Sequence, residues 1–130
     1  MNNRDLKLKV RKICSELLYK QGYISSVDVL LRIGYLSPKD HRAWRHGKIS
    51  CLEKACQANL KKLTIVNKIL RLIANELKLK RSKTAYKQWG KNKKRDLIFS
   101  VSGSKKIEDH YKTHFLDTIW FKKKKENEAK

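Results

Sequence analysis

Helix punctuation constrains this chain more than any other feature. Gly22, Gly34 and Gly47 each stand where an apolar periodic run gives out, placed to close a helix through a left-handed cap. Ser25, Ser37 and Ser50 each precede an acid (Asp28, Asp40, Glu53) by three positions, the spacing at which cap and acid serve the free N–H groups of a first helical turn. With one Pro and five Gly in 130 residues, long regular elements are favoured over a loop-rich fold.

Between these marks the apolar residues set the elements. Leu6, Val10, Ile13, Cys14 and Leu17 recur at helical spacing and predict an amphipathic helix over 4–21. A pair of short helices follows over 25–47, with Val27, Leu30 and Leu31 facing inward from the first and Pro38 fitting the first position of the second. The pair has the dimensions of a helix-turn-helix. From Ser50 no breaker appears until Arg81 or Ser82. Leu52, Cys56, Leu60, Leu63, Leu70, Ile73 and Leu77 form one stripe, so 50–80 reads as a long central helix.

The period then changes. Thr84–Trp89 and Asp96–Val101 are rich in β-branched and aromatic residues around a turn at Gly90–Lys93, so 84–101 reads as a β-hairpin with a basic tip. Ser104 can cap a last helix over 104–116, with Ile107, Tyr111, His114 and Phe115 facing inward, and 122–130 reads as a frayed charged tail. The expected fold is mainly α with one β-hairpin (α+β): a loose winged helix-turn-helix-like single domain over 1–121, built on the long central helix.

Charge then points to a partner. The formal net charge is +21, and Lys78 to Arg95 holds nine Lys or Arg residues and no acid. Such density asks for a polyanion. No apolar run approaches the ~20 residues of a membrane span, and Lys7, Lys9, Arg11 and Lys12 interrupt the first apolar segment, which argues against a secretory signal. Three cysteines (Cys14, Cys51, Cys56) in no pairing pattern read as thiols of a cytoplasmic protein.

If Trp44 and Asp40 turn inward, Lys39, Arg42 and Arg45 or His46 line the outward side of the third helix, with Lys48 beyond it, as a groove-reading helix requires. Lys61, Lys68 and Arg71 lie along the exposed line of the long helix, and Lys91, Lys93, Lys94 and Arg95 cluster at the hairpin tip, suited to a phosphate backbone. The function expected is nucleic-acid binding, with duplex DNA ahead of structured RNA. Tyr86, Trp89 and Phe99 read as core packing rather than base-stacking residues.

Two other classes stay open. A basic adaptor would hold an acidic protein partner on the same surface. A metal-dependent nuclease would draw on Asp109–His110 or Asp40–His41 and on His114; separately, His110 and His114, at i and i+4, with Cys51 and Cys56 could be read as a zinc site. Those cysteines, five apart on one helix, would diverge, and the neighbours Asp40–His41 and Asp109–His110 point in different directions. With no phosphate-cradling glycine loop and no nucleophile elbow, no catalytic residue, metal or cofactor is assigned.

Ala43-Trp44-Arg45-His46-Gly47, Cys51-Leu52-Glu53 and Asn59-Leu60 form one set of residues, continued by Thr84-Ala85-Tyr86 and Leu97 to Gly103. Ile107-Glu108, Tyr111 and Thr113-His114-Phe115 complete it. Together, over about residues 25–116, this pattern resembles a small family of uncharacterised bacterial proteins. The resemblance implies a soluble bacterial protein and brings no activity or site residue with it.

Overall fold

Short polar side chains begin the helices of the computed structural model, which describes residues 2–90 and 95–128. Asn2 accepts from the Asp5 N–H and opens α1 (Asn3–Gln21); Gly22 ends it at φ +78°. Ser25 accepts from the Asp28 N–H to start α2 (Ser26–Ile33), and Ser37 accepts from the Asp40 N–H to start α3 (Pro38–Arg45). These three helices fall where punctuation and periodicity predicted them.

The long central helix does not form as one piece. Its first part is a single turn, α4 (Leu52–Ala55), after which Cys56 is extended and the Gln57 N–H donates to the Tyr35 carbonyl at 2.6 Å. Asn59 then caps a new helix, α5 (Leu60–Glu76), by accepting from the Lys62 N–H. Ser50 caps nothing here: the N-cap position is Cys51, without a side-chain bond. Glu53 instead accepts from the Val101 N–H and the Tyr111 hydroxyl, both at 2.7 Å. The expected stripe is realised only in part: Leu52, Leu63, Leu70 and Ile73 are buried, whereas Leu60 is 50% and Leu77 54% exposed.

The sheet arises elsewhere than expected. It has three antiparallel strands in the order β1 (Tyr23–Ile24), β3 (Thr113–Leu116), β2 (Lys80–Lys83). β3 was expected to be helical, but α6 (Lys105–Lys112) stops at Lys112 and the chain extends, pairing Phe115 with both Ile24 and Arg81. His110 and His114 therefore do not share a helix. In the expected hairpin, the described residues pair through one bridge, Lys87 with Asp96, flanked by bonds from Gln88 to Arg95 and from Leu97 to Tyr86. Leu97 and Phe99 face inward and Ile98 outward, as alternation predicts, but Val101 is exposed. The whole is mostly helical with a small antiparallel sheet.

The segment read as a frayed tail lies largely in α7 (Thr118–Glu128). Asp117 accepts from the Ile119 and Trp120 N–H groups, both at 3.1 Å, and the Trp120 ring lies against Gly22. A Cβ at Gly22 would stand 2.3 Å from that ring, so this glycine serves both the left-handed turn and the docking of α7. One apolar core joins α1, α2, α5 and the sheet to Trp44, Phe99 and Tyr111.

Candidate nucleic-acid interface

The site is built outward from Trp44. Its side chain is fully buried, its indole N–H donates to the Ile98 carbonyl at 2.9 Å, and its ring packs near Phe99 and Tyr86. This anchors the inward face of α3 to both arms of the 84–101 segment. Asp40 also leaves the outward face, accepting from the Gln57 side chain at 2.9 Å. That acid is thereby paired with an amide donor while its side chain stays partly exposed.

On the outward face, Lys39, Arg42 and Lys48 are exposed and line one shallow groove with Ala43 and His46, about 400 Å³ in volume. No carboxylate is among the described residues lining it. Arg45 takes the opposite course. Its guanidinium lies 4.5 Å from the Trp89 ring centroid and 5.2 Å from that of Tyr86. Its Nε is buried with no hydrogen-bond acceptor among the described residues, and burial lowers its pKa. Arg45 thus glues α3 to the 84–89 arm, through a contact worth about 0.5–2 kcal/mol, instead of reaching outward beside Arg42.

Backbone bonds reinforce that seam. The Trp89 N–H donates to the Arg45 carbonyl at 2.7 Å, and the Gln88 side chain packs against Gly47. Arg95 adjoins Ile49 and Ser50, immediately after Lys48 in sequence. The structure therefore gathers Lys39, Arg42 and Lys48 on one groove, while Arg95 lines a separate concavity with Ile49 and Ser50. Lys91, Lys93 and Lys94 lie outside the described residues. Lys61 and Lys68 are exposed on α5 and do not line the α3 groove, while Arg71 is half-buried in a cleft between α5 and α6. No local pattern signals that His46 and Trp89 meet, with ring centroids 5.7 Å apart; they come from segments some forty residues distant.

Carboxylates are few, 12 against 33 Lys and Arg, and most of them already have partners. Asp28, Asp40, Asp117, Glu53 and Glu108 accept hydrogen bonds from caps, loops or side chains. Glu16, Glu76, Asp96 and Asp109 sit in ion pairs with Arg32, Arg11, Lys87 and Lys83. The +21 excess thus has little internal compensation.

Three of the four histidines sit where protonation is disfavoured. Burial lowers the pKa of His41, His110 and His114 below the usual 6.5, and for the first two nearby arginines add to the effect. His114 bonds the Tyr86 hydroxyl at 2.7 Å and stacks on Tyr23. The unfolded chain takes up these protons near pH 6.5, whereas the native state resists them. Stability is therefore full above that pH and falls as pH drops through the lower native values. Urea midpoints measured across this range should decline on acidification, and His114→Gln should flatten part of the decline; a wild-type midpoint independent of pH would contradict the packing.

Cys14 and Cys56 are free thiols whose pKa burial raises to about 12, which makes them poor nucleophiles and metal ligands at neutral pH. No group of three or more His, Cys, Asp or Glu among the described residues is placed to hold a metal ion. No helix among them is long and apolar enough to cross a membrane. No family model, no curated protein and no solved structure matches this chain.

Proposed function

We propose that this chain binds nucleic acid through the outward face of α3, with duplex DNA ahead of structured RNA. One observation carries the reading: Lys39, Arg42, His46 and Lys48 converge on one groove whose described lining holds no carboxylate. Exposed cations gathered this way gain from releasing the counterions condensed on a phosphate backbone. The seam of Arg45, Tyr86 and Trp89 supports a winged helix-turn-helix arrangement, with α2 and α3 as the helix pair and the 84–101 segment as the wing. Arg95, at the described edge of that wing, and Lys61 and Lys68 on α5 supply further phosphate contacts. Buried, protonated thiols suit a protein working in the cytoplasm.

Fluorescence anisotropy with a labelled random-sequence duplex, repeated over a salt series, tests this. Six neutralised phosphates give a slope of about −5 in log affinity against log salt. Tight binding to an acidic protein, with no measurable affinity for duplex or RNA hairpins, would move the reading to the adaptor.

A further inference from the structure

A second basic concavity lies apart from the α3 groove. It opens between α4, α5 and α6 with a volume of about 310 Å³, and Arg71, Lys106 and His110 stand around it. Most of its other polar groups are already committed. Thr64 donates to the Leu60 carbonyl at 2.9 Å, Asn67 accepts from Ser26 at 2.6 Å, and Tyr111 donates to Glu53 at 2.7 Å. Glu53 is the one carboxylate in the lining, and its other oxygen accepts from the Val101 N–H.

Arg71, Lys106 and His110 have neither a hydrogen bond nor an ion pair among the described residues. Their mutual proximity is costly. The charges of Arg71, Lys106 and Arg81 all oppose protonation of His110, and Asp109 offsets them only in part because it pairs with Lys83. Arg71, half out of water, also faces Arg81. Arg71 and His110, partly withdrawn from solvent, and the exposed Lys106 repel one another around a concave space, and an anion that enters it stabilises them. α6 begins beside this space at Ser104 without a side-chain cap, so its first-turn N–H groups add a favourable dipole.

We propose that this cleft is a binding site for a phosphate monoester, with Arg71 and Lys106 on the phosphate oxygens and His110 donating from its ring. Ligand pockets begin at about 300 Å³, so the space admits a phosphate carrying a sugar-sized body rather than a bare ion alone. The ester is either a free sugar phosphate or the terminal phosphate of a nucleic acid. This goes beyond the α3 groove and uses residues of its own.

The test follows the histidine ring NMR signals during titration with ribose 5-phosphate, with ribose as control. The His110 signals should move saturably with the phosphate and stay still with ribose. Arg71→Gln and Lys106→Gln should each weaken binding by about tenfold or more, the scale of one charge-assisted contact. Lys106 is exposed, so its replacement probes the contact without disturbing the packing around Arg71. Anisotropy of one oligonucleotide with and without a 5′-phosphate then identifies the source. Tightening by the phosphate that Arg71→Gln abolishes marks a nucleic-acid end; indifference to it marks a free ester. The unphosphorylated oligonucleotide reports the α3 groove, which keeps failure here distinct from failure of the proposed function. His110 signals unmoved at millimolar ribose 5-phosphate, or both variants binding as wild type, would overturn the site.

Discussion

Replacing Trp44 with alanine should cost about 3–5 kcal/mol of folding stability, the range for deleting a fully buried large aromatic side chain. The ring is 0% exposed and contacts both arms of the 84–101 segment, so no single neighbour can collapse into the space it leaves. The Ile98 carbonyl also loses its indole donor. Against a total stability of about 5–15 kcal/mol for a domain of this size, that is a large fraction. Tm should fall by roughly 10–20 °C. Trp44→Phe keeps part of the ring and should cost about 1–3 kcal/mol, from the smaller ring and the lost indole bond, while the Ile98 carbonyl keeps the Leu52 N–H as a donor. Thermal and urea melts followed by circular dichroism measure both, and a loss below about 1 kcal/mol for Trp44→Ala would deny the residue its keystone role.

Charge reversal at Lys39, Arg42 and Lys48 should have the largest effect on binding. All three are exposed and make no ion pair or hydrogen bond with other described residues, so reversing them leaves folding nearly intact. Each lost phosphate contact lowers the salt slope by about one, so the triple variant should fall from about −5 to −2 or shallower. At low salt its affinity should drop roughly a hundredfold or more, since repulsion replaces attraction at three points. Arg45→Gln provides the contrast. Because Arg45 packs on Tyr86 and Trp89, its loss should lower stability more than it changes the salt slope. Equal salt slopes for wild type and triple variant would remove the groove from the interface.

The elements read correctly from sequence are those whose ends are decided locally. Gly22, Ser25, Gly34 and Ser37 act within a few residues of themselves, so α1, α2 and α3 were legible. The central helix was misread because Leu52, Cys56, Leu60 and Leu63 fit a helical stripe by spacing, yet the chain breaks after Ala55 and leaves Leu60 half exposed. Only Asn59 marks the restart, and the tertiary bond from Gln57 to Tyr35 draws the chain outward. β2 is Lys-Arg-Ser-Lys, with no apolar alternation; its edge position explains the charge, since lysines there discourage pairing with another chain. β3 hid inside a helical pattern because Tyr111 and Phe115, four apart, satisfy a helix as well as a strand that begins between them.

The same division holds for the interface. Lys39 and Arg42 follow from helix geometry around a buried Trp44, and a helical wheel finds them; Lys48 lies past the helix end and reaches the same groove through the turn at Gly47. Arg45 is not found this way, because its fate depends on Tyr86 and Trp89, two rings some forty residues away that no local pattern connects to it. Ser50 failed as a cap for a related reason: the Glu53 N–H it would have served donates to the Phe99 carbonyl, and the Glu53 carboxylate is claimed by Val101 and Tyr111.

Backbone amide shift mapping against a short DNA duplex reads the interface most directly. Binding through the α3 face should perturb amides from Lys39 to Lys48 together with those around Trp89 and Arg95, and leave the Leu8 to Ile13 stretch of α1 unmoved. Perturbations scattered evenly over the molecule, or none under low-salt conditions, would contradict it.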